Sequence, residues 1–135
     1  SKNPVVSLMT EWNNKNKIKK RNLYSDKGGT MRLGAYKATL KKGSKINQIY
    51  KLNEISERHR HRYEVDLTYT NDFEKNGFHF SGMSPDNVLP EVIESVNHKW
   101  FIGVQFHPEY KSTVNKPHPL FVDFIKTCLE NNEVR

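Results

Sequence analysis

The chain has 135 residues, a formal net charge of +7, 35% hydrophobic residues and one cysteine. This length predicts a single domain, and the composition excludes an intrinsically disordered chain and one that spans a membrane, because no apolar run approaches the length of a bilayer. A single cysteine excludes an internal disulfide and is typical of a reducing cytoplasm.

The first part of the chain combines a strand pattern with a basic segment. Residues 4–9 (Pro-Val-Val-Ser-Leu-Met) predict a short strand. Residues 11–27 are polar and basic, with five positive charges between Lys15 and Arg21, and predict a loop or flap. Such a run is typical of a solvated loop, and it can also bind phosphate groups. Nucleic-acid binding is the general alternative, but no RNA-binding signature or Cys/His finger supports it.

The middle of the chain predicts strands separated by turns. Gly28-Gly29 is a turn signal, and residues 31–40 have strand-like spacing with a break in period near Tyr36. Ser44 is predicted to cap a short helix over residues 45–50. Residues 55–65 contain a dense charged block. The later predicted elements are a strand over 78–82, a short helix from 71 that glycine stops at 77, and a hairpin of strands 88–96 and 100–106.

Pro119 opens the last predicted helix. Its apolar residues recur at helical spacing and are expected to pack on the core, namely Leu120, Phe121, Phe124, Ile125, Cys128 and Leu129. Cys128 is therefore expected to be a core residue and not a nucleophile. The mixture of many strands and one firm helix predicts an α/β or α+β fold.

A histidine and a glutamate follow the strand predicted over residues 100–106. Residues two apart on an extended segment point to the same side, so the side chains of His107 and Glu109 can converge at the strand end. An imidazole that a carboxylate orients is the base half of a nucleophilic catalyst. The alternative is that His107 caps a strand and Glu109 is an exposed turn residue.

In residues 57–64 (Glu-Arg-His-Arg-His-Arg-Tyr-Glu), arginines alternate with histidines. In a strand, one face would carry the arginines, which are Arg58, Arg60 and Arg62. Three like charges side by side repel one another unless an anion or acids lie opposite, and a carboxylate matches one guanidinium fork. The alternative is a basic strand that pairs with the glutamates at its two ends. A zinc site is not expected, because no cysteine or carboxylate spacing completes a ligand set with the histidines.

Three motifs occur together in this chain. They are Gly-Gly-Thr-Met-Arg-Leu-Gly at 28–34, Glu-Arg-His-Arg-His-Arg-Tyr-Glu-Val at 57–65 and Gly-Val-Gln-Phe-His-Pro-Glu-Tyr at 103–110, and Pro-His-Pro-Leu-Phe at 117–121 continues the pattern. Phe-His-Pro-Glu alone would indicate only a class I glutamine amidotransferase. With the other motifs, the chain resembles the C-terminal part of the CTP synthase family. The resemblance implies an α/β fold, the C-terminal half of a flavodoxin-like amidotransferase domain.

The resemblance also implies a function for the whole protein. In that family a synthetase domain uses ATP and magnesium to activate UTP, and a glutaminase domain releases ammonia from glutamine, which gives CTP. GTP is the activator. The resemblance therefore implies a glutamine-hydrolysing ligase, cytoplasmic and homotetrameric, without a nucleic-acid or membrane partner.

Roles for individual residues follow from the resemblance. His107 would be the catalytic base and acid, and Glu109 its orienting carboxylate. Arg62 would pair with the α-carboxylate of glutamine, and Tyr63 would line the same site. The basic segment at 11–27 aligns with the lid over the family's GTP site. In that lid, Arg21 falls on an arginine implicated in GTP activation. No metal ligand is expected in this chain.

The sequence departs from the family pattern in one large respect. The Gly-x-Cys-x-Gly-x-Gln elbow that carries the nucleophile, the oxyanion-hole segment and the synthetase domain are absent from residues 1–135. The chain is therefore expected to be a partial amidotransferase domain that does not hydrolyse glutamine by itself. Two alternatives stay open: part of another class I amidotransferase or γ-glutamyl hydrolase, and a non-enzymatic basic binding module.

Overall fold

The computed structural model describes residues 4–8, 11–14, 17–20 and 31–132. Within these residues the chain forms nine strands, three α-helices and two short 3-10 helices. The strands are β1 (Val6–Leu8), β2 (Glu11–Asn14), β3 (Lys17–Lys20), β4 (Arg32–Leu40), β5 (Glu54–His61), β6 (Tyr63–Val65), β7 (Phe78–Met83), β8 (Pro90–Ser95) and β9 (Ile102–Val104). The α-helices are α1 (Lys45–Tyr50), α2 (Thr70–Lys75) and α3 (Pro119–Asn132), and the 3-10 helices are Leu67–Tyr69 and Pro108–Lys111.

A five-stranded sheet in the order β5-β4-β7-β8-β9 forms the centre of the described structure. Two smaller sheets pair β1 with β6 and β2 with β3, and all pairings between described strands are antiparallel. The longest ladder joins β4 to β5, where Arg32 lies opposite His61 and Thr39 opposite Glu54. This ladder carries the histidine and arginine motif to the edge of the sheet.

The core lies where the central sheet meets α1 and the start of α3. Its buried apolar residues are Ala38, Leu40, Ile46, Ile55, Val92, Phe106 and Leu120. Ser44 caps α1 as predicted, since its hydroxyl accepts a hydrogen bond from the backbone N–H of Asn47. Glu94 on β8 accepts from the backbone N–H groups of Lys45 and Ile46, which fastens the helix start to the sheet.

Most of the other predicted elements are confirmed with bounds that differ by a few residues. They are β1, β7, the short helix α2 and the hairpin of β8 and β9. Gly77 follows α2 with a φ of +78°, a left-handed conformation that favours glycine. A Cβ there would also lie 2.2 Å from the side chain of Asn97, so the glycine lets the chain pass close to the hairpin turn.

The predicted break in β4 near Tyr36 is wrong. Alternate residues from Arg32 to Leu40 face inward without interruption, and Leu33 is 65% exposed. The reason is that Arg32, a charged residue, takes an inward position, where two carboxylates bind it. A prediction based on apolar residues alone therefore placed Leu33 and Ala35 on the inward face, whereas both lie on the exposed face.

The expected packing of α3 is also wrong. Of its predicted core residues only Leu120 is buried, whereas Phe121, Phe124, Ile125 and Leu129 are exposed, and so is Cys128. In the described structure the first turn of α3 packs on the core, and Trp100 contacts the helix from outside it. The indole of Trp100 packs edge-on against Phe124 and donates a 2.7 Å hydrogen bond to Asp123. Periodicity shows that a helix has an apolar face, but it does not show what covers that face.

None of the three helices in the described ranges is long and apolar enough to cross a membrane. The longest of them, α3, has 14 residues.

The predicted loop over residues 11–27 differs from the structure in its first ten residues. Strands β2 and β3 pair in antiparallel register, with Glu11 opposite Lys20 and Asn14 opposite Lys17. Backbone pairing in such a polar hairpin is not visible in a pattern of apolar residues. The predictions for Arg21, Lys27 and the turn at Gly28-Gly29 lie outside the described residues.

Candidate active site

His107 and Glu109 form a hydrogen-bonded pair at the end of the β8–β9 hairpin. The distance between Nδ1 of His107 and Oε1 of Glu109 is 2.7 Å, so the predicted convergence of the two side chains is confirmed. A carboxylate only accepts hydrogen bonds, so the Nδ1 atom carries the proton and Nε2 is the basic nitrogen. The hydrogen bond from His107 lowers the pKa of Glu109, which keeps the carboxylate charged. The pair can accept a proton at Nε2 and stabilise the resulting imidazolium.

Two contacts fix the position of His107. Its backbone N–H donates to the carbonyl oxygen of Arg58 at 2.9 Å, and its ring stacks on Tyr110 with 5.1 Å between ring centroids. The side chain of His107 is 37% exposed to solvent. The imidazole is therefore held by β5 on one side and by the 3-10 helix on the other, and it is still accessible to a substrate.

Arg62 and Tyr63 lie where β5 ends and β6 begins. Arg62 is half-buried in the bend between the two strands, and Tyr63 is 54% exposed. Among the described residues, no hydrogen bond or ion pair of the Arg62 side chain is found. A planar guanidinium in this position has the geometry to bind a carboxylate. No hydrogen bond or ion pair joins it to His107 or Glu109 in the described structure. Arg21, the fifth predicted position, lies outside the described residues.

The alternation predicted for residues 57–64 is confirmed along β5. Arg58 and Arg60 are exposed, and His59 is buried on the opposite face. Nδ1 of His59 lies 2.9 Å from Nε2 of His61, and Nδ1 of His61 lies 3.0 Å from the carbonyl oxygen of Tyr63. The two histidines therefore bind each other and the backbone.

Burial keeps both of these histidines neutral. Burial, together with the charge of Arg32, lowers the pKa of His59 to about 3. Burial is also the main reason why the pKa of His61 is lowered. Charge on His107 lowers both pKa values further, so the histidine pair lies within electrostatic reach of the candidate base.

A buried charge network behind the site was missed by sequence reasoning. Arg32 is 4% exposed, and its two Nη atoms lie 3.2 Å from Glu64 and 2.7 Å from Glu91. The guanidinium also lies over the ring of Tyr36, 4.5 Å from its centroid. Glu64 accepts a further hydrogen bond from the side-chain amide of Gln105 at 2.9 Å. Sequence reasoning gave no signal for this network, because it assigned the first half of β4 to the opposite face.

Burial raises the pKa of Glu64 to about 7, although the charge of Arg32 acts in the opposite direction. Burial also raises the pKa of Glu91, again against Arg32. Two acids that share one arginine in a buried place thus compete for its positive charge.

His118, in the segment that precedes α3, is 3% exposed. Its Nε2 atom lies 3.0 Å from the hydroxyl of Tyr50 and 3.3 Å from Oε1 of Glu57. It joins the start of α3 to α1 and β5. Its position between two prolines gave no signal of this packing role.

A cleft of about 500 Å³ opens on the outer face of β4 and β5 beside the candidate base. Its lining residues are Met31, Leu33, Arg58, His59, Arg60 and Tyr110. Tyr110 is the residue on which His107 stacks, so the cleft and the base share a wall. Two exposed arginines make this entrance positive, which favours an anionic ligand or partner segment.

Comparison with known proteins relates this geometry to a family. The profile of the family described as glutamine amidotransferase class-I matches residues 8–127. A CTP synthase of Rhizobium etli (strain CIAT 652) is 59% identical over 134 residues, which are 99% of this chain and 25% of that protein. A CTP synthase of Paramagnetospirillum magneticum is 56% identical over 132 residues, 98% of this chain and 24% of that protein. The chain thus spans about a quarter of the length of these curated relatives.

A solved structure is similar over most of the chain. The glutaminase domain of a Trypanosoma brucei CTPS with bound acivicin superposes with a TM-score of 0.74 at 34% sequence identity. The match covers 93% of this chain and 46% of that domain.

Proposed function

Because the chain belongs to the class I glutamine amidotransferase family, we propose that it supplies the general base and the glutamine-binding arginine of a glutaminase. The family match agrees with the α/β fold expected from the sequence. The observation that carries the proposal is the 2.7 Å hydrogen bond between His107 and Glu109, which leaves Nε2 as the basic nitrogen.

His107 would move protons in both halves of the reaction. Its Nε2 atom takes the proton of a cysteine thiol, and the thiolate attacks the carbonyl carbon of the glutamine side-chain amide. His107 then returns the proton to the leaving nitrogen, the C–N bond breaks, and ammonia departs. For hydrolysis of the thioester, His107 accepts a proton from the attacking water. It returns this proton to the cysteine sulfur as the C–S bond breaks, which releases glutamate. Glu109 stabilises the imidazolium that forms in each half.

The cysteine of this reaction would come from sequence outside this chain. Cys128 is exposed on the apolar face of α3, and no described residue donates a hydrogen bond to it or accepts one from it. A nucleophile needs a base within hydrogen-bond reach. We assign Cys128 no role in catalysis.

Arg62 would bind the α-carboxylate of glutamine, with Tyr63 beside it. The support is that Arg62 is half-buried at the edge of the sheet and its guanidinium is not engaged by another described residue. A guanidinium fork matches a carboxylate in a bidentate pair.

For the whole protein we propose the activity of a CTP synthase. The named relatives at 59% and 56% identity support this, as does the trypanosome glutaminase domain. On this proposal, a domain outside this chain binds ATP with magnesium, together with UTP. Ammonia from the glutaminase then aminates UTP to CTP. GTP would act at the basic segment 11–27, with Arg21 among its ligands, in a cytoplasmic homotetramer.

One experiment separates this proposal from its alternatives. The full-length protein that carries this chain is given UTP, ATP and magnesium, with either glutamine or ammonia as nitrogen source, and CTP and glutamate are measured. CTP formation from both sources is the expected result. Glutamate release without CTP would indicate another amidotransferase or a γ-glutamyl hydrolase. No glutamate release at all would overturn the glutaminase assignment.

A further inference from the structure

A buried carboxylate lies between the two segments of the candidate active site. Glu64, on β6, is 5% exposed and comes two residues after Arg62. Its Oε2 atom accepts a 2.9 Å hydrogen bond from Nε2 of Gln105, which comes two residues before His107. We propose that Glu64 is a positioning residue for glutamine hydrolysis, which ties the segment of Arg62 to the segment of His107. The inference rests on the proposed function.

The other oxygen of Glu64 is fixed by Arg32. Oε1 lies 3.2 Å from Nη1 of Arg32, and Nη2 of the same guanidinium lies 2.7 Å from Glu91. Three strands therefore meet at this arginine: β4, which carries it, and β6 and β8, which carry the two acids. Buried charge-assisted hydrogen bonds of this kind hold their partners in one geometry, because a buried charge that loses its partner is strongly destabilising.

Arg62 needs such support because it lies between two ladders. The pairing of β4 with β5 ends at His61, and the pairing of β1 with β6 begins at Tyr63. The position of Arg62 is therefore set by its neighbours on both sides. His61 on one side and Glu64 on the other meet at 3.4 Å, between Nδ1 and Oε1.

Glutamine makes the distance between these segments matter. Its α-carboxylate and its side-chain amide are joined by a short carbon chain, so a site that binds the first must present its base to the second at one separation. A displacement of about 1 Å in such a site can lower the rate by roughly a hundredfold. Glu64 links the carboxylate-binding end to the base through one hydrogen bond, which it accepts from Gln105.

The charge of Glu64 is adjustable near neutral pH. Burial raises the pKa of its carboxyl group to about 7, against the effect of Arg32. The groups that face it are Arg32 from β4, His61 from β5, Glu91 from β8 and Gln105 after β9. When Glu64 is protonated it loses the charge-assisted bond to Arg32, and the tie between the two segments weakens.

Glu64→Gln tests the inference, because glutamine has the shape of the protonated acid and carries no charge. In the full-length protein, we expect the KM for glutamine to rise about tenfold relative to wild type at pH 8 and by less than about twofold at pH 6. Ammonia-dependent CTP formation should be unchanged at both pH values. The ratio of variant to wild type at each pH removes any effect that the two proteins share.

Glu94→Gln is the matched control. Glu94 is also a buried glutamate, but it binds the backbone of α1 and not the active-site segments. The KM of the Glu94→Gln variant for glutamine should equal that of wild type at both pH values. A Glu64→Gln variant with the wild-type KM at pH 8, or with the same increase at both pH values, would overturn the inference.

A second variant keeps the test decisive if Glu64→Gln does not fold. Gln105→Met removes the other half of the bond at a less buried position and should raise the KM for glutamine by a similar factor. The double variant should be no worse than either single one, because both remove the same link. Additive effects would overturn the link. Absence of glutamine-dependent turnover in the wild type would overturn the proposed function and this inference with it.

Discussion

The backbone N–H of His107 donates a 2.9 Å hydrogen bond to the carbonyl oxygen of Arg58. This bond attaches the segment of the candidate base to the strand that leads to Arg62, its candidate partner in substrate binding. The strand buries its histidines and exposes Arg58 and Arg60, so one element supplies both a packed wall behind the site and a positive entrance. The position of the base thus depends on the packing of β5.

Replacement of His107 with alanine should separate the two nitrogen sources. In the full-length protein, His107→Ala should lower glutamine-dependent CTP formation by roughly a thousandfold or more, because no other group takes the thiol proton. Ammonia-dependent formation should stay near wild type, since ammonia bypasses the glutaminase step. Steady-state rates with the two donors provide the measurement. Equal losses with both donors would show that His107 serves folding.

Glu109→Gln should have the same selectivity and a smaller effect. The amide retains a hydrogen-bonding atom for Nδ1 but loses the charge that supports the imidazolium. We expect a loss of glutamine-dependent kcat that is intermediate between wild type and His107→Ala, without a loss of ammonia-dependent rate. A glutamine-dependent kcat equal to that of wild type would remove Glu109 from the catalytic pair.

Replacement of Arg62 with alanine should mainly raise the KM for glutamine. The lost hydrogen bonds to a charged group correspond to about 1.5–3 kcal/mol, or roughly ten- to 150-fold in KM. Arg62→Lys should recover only part of this, because an ammonium lacks the planar fork. Initial rates over a range of glutamine concentrations provide the measurement. An unchanged KM in both variants would exclude Arg62 from the glutamine site.

Local patterns predicted a large part of the fold. The cap at Ser44, the alternation along β5 and the β8–β9 hairpin depend on neighbouring residues, and the structure has all three. The convergence of His107 and Glu109 was predictable for the same reason, since two residues on one extended segment point to the same side.

The network around Arg32 could not be predicted in this way. Arg32 and Glu91 are 59 positions apart, and nothing near either residue indicates that the other lies across the sheet. A charged residue on a strand is ordinarily placed on the solvent face. The exposure of the apolar face of α3 could not be predicted either. The spacing of apolar residues is a local property of the sequence, but the element that packs against them is not.

The isolated chain should not release ammonia from glutamine. It carries a base in Nε2 of His107, but its one thiol lies on the exposed face of α3. Loss of the nucleophile costs several orders of magnitude even when the rest of a site is intact. A glutaminase assay of the purified chain and of its Cys128→Ser variant should give the same background rate. Ammonia release that Cys128→Ser abolishes would contradict this prediction.

Arg21→Ala should weaken the activation of glutamine-dependent turnover by GTP. The lysines and Arg21 between positions 15 and 21 repel one another, and a polyanionic nucleotide would relieve that repulsion. Ammonia-dependent turnover should not change. A GTP titration of wild type and variant, with each nitrogen source, provides the measurement. Identical activation curves would exclude Arg21 from the activator site.

His59 should make the fold sensitive to acid. Burial and Arg32 lower its pKa from 6.5 to about 3, so between these values the unfolded chain binds a proton that the folded chain does not. The contribution of His59 to stability is thus complete above about pH 6.5 and decreases as the pH falls toward 3. The groups that face it are Arg32 on β4, His61 on β5, Glu91 on β8 and His107 after β9.

The His59→Asn variant isolates this effect from that of Glu64. The raised pKa of Glu64 gives the opposite trend, since between pH 4.5 and about 7 the folded chain retains a proton that the unfolded chain has lost. Glu64 is present in both proteins, so its contribution cancels in their difference. From pH 6 to pH 4 the wild type should therefore lose up to about 1.4 kcal/mol of unfolding free energy per pH unit relative to His59→Asn. Urea denaturation at each pH gives both curves, and parallel curves over this range would show that His59 is charged in the folded protein.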